Sequence, residues 1–459
     1  MLTNLIDYSV SNFTHLDPAF STLGYHPNIQ ALGISCFKDL PISTSSLGFL
    51  NILPVLGSIV SPFTLMCSLC LFFIAFVTVL ALTPLAKIIA HKLGAIDYPG
   101  KRRVNKKPIP RMGGVAVFMG IFLTLLIHYL GILAHLWPSV FLPSEVFQYI
   151  NYPLIMLGMI CIFITGVIDD IYHLTPLQKL IGQIISAACA VCGGLVIGVI
   201  VNPLSSSALY LGWIAYPLTI LYLVAYVNIF NLIDGLDGLA TGLAFIVSAT
   251  MFVLSIMAHR LDAAFLAIAL CGSTLGFLKY NFNPASIFLG DSGSLLIGFT
   301  LGVISLLSVT RVAGLTTIMV PLIISGIPII DTFSAIIRRK RAHISISQAD
   351  QGHIHHRLIS EGFNQKQAVL IMYAWTAFLC CGTYLMTQVE VVPRICIFIV
   401  LFALSLVFTL KLHLFEPVLF HHTNPTTGKD ELVSPKDPEF KLEEEKFEQH
   451  HHSHNLKRL

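Results

Sequence analysis

Residues 65–82 read LMCSLCLFFIAFVTVLAL, eighteen positions without a charged side chain. About 20 mostly apolar residues cross the hydrocarbon core of a bilayer as a helix, because a helix satisfies its own backbone hydrogen bonds where no water can. Ten comparable runs follow. The eleven predicted spans cover roughly 62–90, 113–136, 151–168, 179–201, 209–232, 236–258, 262–281, 286–309, 315–338, 366–388 and 393–413. The expected fold is therefore all-α, a polytopic integral membrane protein of about 11 transmembrane helices.

Composition agrees. Of 459 residues 55% are hydrophobic and 11% charged, with a mean hydropathy of +0.79, against roughly 25% charged residues in soluble domains. This excludes a water-soluble enzyme. Lys+Arg 27 against Asp+Glu 24 gives a dispersed +3, too small a footprint for a nucleic-acid binder. The pairs Cys67/Cys70 and Cys189/Cys192 lie in apolar runs with no second pair at zinc spacing, so they read as small membrane-helix residues.

Three regions are expected: an N-terminal extension over 1–61 that lacks a signal-peptide pattern, a membrane domain over 62–413, and a charged, His-containing tail over 414–459 without hydrophobic periodicity, read as disordered. Orientation follows from basic residues in short loops. Lys92, Lys101, Arg102, Arg103, Lys106, Lys107 and Arg111 lie in 91–112, and Arg339, Lys340, Arg341 and Arg357 in 339–365, while 137–150 and 202–208 hold no Lys or Arg. Both basic loops are expected inside, with the N-terminus out and the C-terminus in.

The polar clusters fall beside those inner loops. Asp169-Asp170 ends the third run, and two adjacent carboxylates at a membrane boundary call for a cation, a proton or water between them. Asn228, Asn231, Asp234 and Asp237, spaced by three, are predicted to form one slowly drifting helical stripe beside Gly235 and Gly238. Their amides and carboxylates suit a nucleotide diphosphate. Gly290-Asp291-Ser292-Gly293-Ser294 opens the eighth run, where a carboxylate offers a hard oxygen ligand beside helix N-terminal N–H donors for phosphate. His353-Ile-His355-His356-Arg357 places three imidazoles and a guanidinium in one loop, better matched to a polyanion than to zinc. A transporter would hold its acids near the bilayer midplane. Here they sit at the inner ends of four spans, which points to transfer between a soluble phosphate donor and a membrane acceptor.

The ordered set Pro110-Arg-Met-Gly113-Gly114, Asp169-Asp170 with Pro176 and Lys179, Asn231-Leu-Ile-Asp-Gly-Leu-Asp-Gly, Gly290-Asp-Ser-Gly-Ser and His353-Ile-His-His-Arg-Leu resembles the bacterial polyprenyl-phosphate N-acetylhexosamine-1-phosphate transferases over roughly 62–413. The histidine segment is similar to the N-acetylglucosamine branch rather than to the branch that transfers phospho-N-acetylmuramoyl-pentapeptide.

The resemblance implies transfer of a sugar 1-phosphate from a UDP-sugar donor to undecaprenyl phosphate, with UMP released and Mg²⁺ required, Mn²⁺ being an alternative. It implies a multi-pass protein of the bacterial plasma membrane and leaves room for a homodimer. It implies Asp169, Asp170 and Asp291 as catalytic, with Asp291 and Asp170 at the metal and Asp169 facing the acceptor phosphate. Asn231, Asp234 and Asp237 would shape the nucleoside and sugar site, and Asn281 matches the position that contacts uracil. His353, His355, His356 and Arg357 would hold the diphosphate or sugar, with Lys106 and Arg111 in the basic loop.

Overall fold

The computed structural model describes residues 62–98, 108–135, 150–201, 208–309, 326–341, 353–360, 362–412, 414, 420–423 and 430–433. All of them lie in the unit Val55–Leu459. The expected extension over 1–61, Lys106, and most of the tail lie outside the described residues.

The helices are α1 (Pro62–Leu93), α2 (Gly113–Leu133), α3 (Tyr152–Tyr172), α4 (Pro176–Cys192), α5 (Ala215–Ile233), α6 (Leu239–Met257), α7 (Leu261–Asn281), α8 (Asp291–Val309), α9 (Gly326–Arg341), α10 (Ile354–Ser360), α11 (Gln365–Thr387) and α12 (Val391–Lys411). Among the described residues nine helices are long and apolar enough to cross a membrane. The chain is thus an all-α, multi-pass membrane protein.

α8 forms the centre, packing on α2, α3, α5, α6 and α7, with 89% of its apolar window buried, whereas only 11% of the α12 window is. Phe230, Phe277 and Phe299 fill the surrounding core. The outward Ile399, Val400 and Phe402 of α12 remain exposed, as a hydrocarbon solvent allows.

Four boundaries differ from the sequence reading. The run expected over 179–201 starts earlier, at Pro176, because Thr175 and Gln178 form a capping box. It ends at Cys192, where Gly193-Gly194 follow, and Val199–Val201 instead pairs antiparallel with Ala208–Tyr210. Seventeen residues span about 26 Å at 1.5 Å each, short of the ~30 Å core. The ninth run is helical over Gly326–Arg341, past the expected end at 338, and its first part, 315–325, lies outside the described residues. α8 begins at Asp291 rather than near 286, since Phe288 and Leu289 are stitched to the segment before α2: Phe288 N–H donates to Pro110 O, Gly113 N–H to Phe288 O and Gly114 N–H to Leu289 O, each at 2.9 Å. Within the tail, Phe420–Thr423 pairs antiparallel with Asp430–Val433, a hairpin the low periodicity did not suggest.

The fourth difference moves a site residue. α5 stops at Ile233 with Asp234 as its C-cap, so Asn228 and Asn231 share the helix but Asp234 and Asp237 belong to the turn that follows. Gly235 and Gly238 break the expected stripe, and Gly238 adopts φ +78°.

Candidate active site

Three helix ends meet where Gly114, Gly290 and Asp170 come together. A Cβ on Gly114 would overlap the backbone of Ser292 and Gly293, so only glycine lets α2 approach α8 this closely. Gly290, at φ +73°, faces the Asp170 carboxylate, leaving no room for a side chain.

Asp170, 1% exposed, accepts the backbone N–H of Asp291 at 2.9 Å through Oδ1 and that of Ser292 at 3.0 Å through Oδ2. Oδ1 also accepts from Arg111 Nε and Nη2 at 3.2 and 3.1 Å. Asp170 therefore caps α8 from α3 and anchors Arg111. The N–H donors expected to stand free at the start of α8 are therefore taken up by Asp170 itself. Those of Gly293 and Ser294 return to Gly290 O at 3.1 and 2.9 Å.

Asp169 accepts the Leu174 N–H at 2.7 Å through Oδ1. Its Oδ2 lies 2.5 Å from Lys179 Nζ, and the same ammonium lies 2.5 Å from Asp291 Oδ2. Lys179 thus stands as a cation between two carboxylates. Asp291 Oδ1 accepts from Asn231 Nδ2 at 2.9 Å, and the Asn231 amide also donates to Ser294 Oγ at 2.9 Å. Asp234, at the turn after α5, is pushed up to about 8 by burial and by the charges of Asp291 and Asp170, with Arg111 opposing. Burial works against the Arg111 charge too, but the Asp170 and Asp291 carboxylates outweigh it and raise that group further.

Among the described residues, then, Asp169, Asp170, Asp234 and Asp291 face two side-chain cations, Arg111 and Lys179. No three His, Cys, Asp or Glu side chains among them converge as a metal-holding group. A small hard cation bound through one or two carboxylates and substrate phosphates fits such a cluster. Asp291, with Asp234 when ionised, is the carboxylate pair that could hold such an ion, because Asp169 and Asp170 are already met by Lys179, Arg111 and backbone donors.

The other expected residues separate. Asn228 exchanges hydrogen bonds with Gln183 at 2.7 and 3.3 Å, a polar seam between α4 and α5. Asn281, 3% exposed, is a strut: its Oδ1 accepts from Gly238 N–H at 3.2 Å and Thr241 Oγ1 at 2.9 Å, and its Nδ2 donates to Ile287 O at 3.0 Å. Asp237 Oδ2 accepts from Asn283 Nδ2 and Ala285 N–H, both at 3.0 Å. The His353 ring lies with Nδ1 2.8 Å from Asp331 Oδ2, while Asp331 Oδ1 accepts the Ile354 N–H at 2.7 Å. Arg357 follows on α10; the side chains of His355 and His356 lie outside the described residues.

Lys179 and Asp331 hold candidate site residues in place, and the sequence pattern assigns neither a role. Lys179 stands in the motif only as a neighbour of the acid pair. Asp331 is a lone acid in the apolar stretch Gly326-Ile-Pro-Ile-Ile-Asp-Thr-Phe, and an ionisable residue in such a run is itself a signal.

Membrane-crossing helices that end in a carboxylate cluster bridged by ammonium and guanidinium define a membrane enzyme of phosphoryl chemistry. Residues 152–309 match the family described as Glycosyl transferase family 4. The chain is 40% identical over 302 residues to a probable undecaprenyl-phosphate N-acetylglucosaminyl 1-phosphate transferase of Bacillus subtilis, covering 66% of this chain and 80% of that one. It is 34% identical over 322 residues to a decaprenyl-phosphate N-acetylglucosaminephosphotransferase of Mycolicibacterium smegmatis, covering 64% and 76%. It is 32% identical over 298 residues to a phospho-N-acetylmuramoyl-pentapeptide-transferase of Desulfitobacterium hafniense, covering 61% and 84%. The chain belongs to glycosyl transferase family 4, the family of polyprenyl-phosphate sugar-1-phosphate transferases.

Proposed function

We propose that the protein transfers N-acetylglucosamine 1-phosphate from UDP-N-acetylglucosamine to undecaprenyl phosphate at the inner face of a bacterial plasma membrane. An oxygen of the lipid phosphate attacks the β-phosphorus of the donor, the bond from that phosphorus to the bridging oxygen breaks, and UMP leaves. The single observation carrying this reading is the Asp169–Lys179–Asp291 bridge, a cation held by two carboxylates from different helices. The higher identity to the two N-acetylglucosamine-phosphate transferases than to the pentapeptide transferase supports the choice of donor.

Asp291, with Asp234 once ionised, would hold Mg²⁺ or Mn²⁺, which supplies charge neutralisation for the diphosphate and the departing UMP. Asn231 orients Asp291 through Oδ1. Lys179 moves from the carboxylates to the transferred phosphoryl oxygens, and the Asp169 carboxylate it leaves faces the acceptor phosphate as base or orienting group. Asp170 and Arg111 position the start of α8, and His353, held by Asp331, meets the donor with Arg357, His355 and His356.

Purified protein supplied with Mg²⁺, undecaprenyl phosphate and UDP-N-acetylglucosamine should form UMP and a lipid-diphosphate-sugar, and added UMP should drive the reverse reaction. Turnover of the UDP-muramyl-pentapeptide donor alone would overturn the donor assignment.

A further inference from the structure

The turn bearing Asp234 is fastened on several sides. The Gly238 N–H donates to Asn281 Oδ1, and the Gly238 carbonyl accepts from the Tyr373 hydroxyl, 2.5 Å away. Asp237 accepts from Asn283 and from the Ala285 N–H. The Asn283 Nδ2 also donates to Gln365 Oε1 at 2.7 Å. One amide group thereby joins a carboxylate beside the acidic cluster to a side chain 82 residues away.

Gln365 is the first residue of α11, directly after Asn364, which forms a capping box with Gln367. That cap orders the backbone on which Gln365 is carried. The preceding helix is α10, the histidine segment, whose other end is clamped by Asp331. The start of the histidine segment is thus held to α9, and the start of α11, a few residues beyond its end, is held through Gln365 and Asn283 to the turn carrying Asp234 and Asp237.

We propose that Asn283 and Gln365 are positioning residues that lock the histidine segment to the Asp234–Gly238 turn, so that the two groups contacting the donor are set as one body. This rests on the donor reading above. Neither residue touches a reacting atom; each acts through Asp237 or through α10.

The test measures KM for donor, KM for acceptor and kcat in Asn283→Ala, Gln365→Ala, their double variant and Gln365→Glu, with amide hydrogen exchange of each purified protein. Gln365→Ala should raise donor KM about fivefold, the worth of one hydrogen bond, and Asn283→Ala, which also takes a donor from Asp237, by more than that, with acceptor KM and kcat within about twofold. The double variant should match the worse single one, because both changes break one link. Gln365→Glu keeps an acceptor oxygen and should stay close to the parent protein. Asn283→Ala should speed exchange over 354–364, and Gln365→Ala over 234–238, whichever donor is used. Additive KM effects, a uniform fall in all constants, or unchanged exchange in the distant segment would overturn the proposal. Absence of product from the parent protein would overturn the function reading instead, and the exchange data would still decide this one.

Discussion

Asp170 caps the helix that begins 121 residues later: its two oxygens accept the backbone N–H groups of Asp291 and Ser292. Asp291, which Lys179 and Asn231 also contact, is thus set by a second carboxylate that is itself buried. Asp170→Ala would leave Arg111 without its partner and two helix N–H groups unmet, a loss of about 3–5 kcal/mol for a broken buried pair. Thermal unfolding in detergent should show that loss, and activity should fall with it.

Lys179 separates Asp169 from Asp291. Lys179→Met should reduce turnover by about 10²–10³-fold, the size of a lost transition-state charge contact. The two carboxylates, relieved of their internal cation, should bind Mg²⁺ more tightly. Turnover titrated against Mg²⁺ checks both effects, and weaker Mg²⁺ binding would contradict the bridging role.

Asp234, raised to about 8, keeps its proton at neutral pH in the metal-free protein. Because the folded value lies above the unfolded one near 4, the folded state holds a proton that the unfolded chain releases. Stability of the metal-free protein should therefore fall as pH rises from about 4 to about 8. A divalent ion needs the ionised form, so its apparent affinity should climb with pH up to about 8 and its binding should release a proton. Calorimetry in two buffers of different ionisation enthalpy measures that release, and Asp234→Asn should abolish it.

Asp331 holds both the His353 ring and the Ile354 N–H. Asp331→Ala should raise donor KM about tenfold, as expected for hydrogen bonds involving a charged group, with acceptor KM little changed. Asp331→Asn, which keeps a carbonyl for Ile354, should fall between. Initial rates against each substrate separate these outcomes.

The bundle was legible because apolar runs of bilayer length have no other solvent, and the candidate acids were legible because charge is rare in such runs. The arrangement around them was not. Nothing local to Asp169-Asp170 shows that one carboxylate serves Lys179 and the other the backbone of Asp291, since those partners come from separate helices. The helical stripe through Asp237 follows from spacing alone, whereas Gly235 and Gly238 end the helix before it. The hydrogen bonds of Asn281 to Thr241 and Ile287 join segments far apart in sequence or across a loop, so no local pattern shows them. Gly193-Gly194 cut the fourth run where hydrophobicity continues. The partners of the acids are thus set by tertiary contact, whereas the two helix ends are set by local glycines that the apolar pattern runs past.

The central claim, transfer of a sugar together with its phosphate, is tested most directly with UDP-N-acetylglucosamine labelled at the β-phosphorus. Purified protein in vesicles with undecaprenyl phosphate and Mg²⁺ should move the label into lipid and release unlabelled UMP, one for each lipid labelled. Label recovered in released UDP, with only the sugar carried to the lipid, would contradict the account.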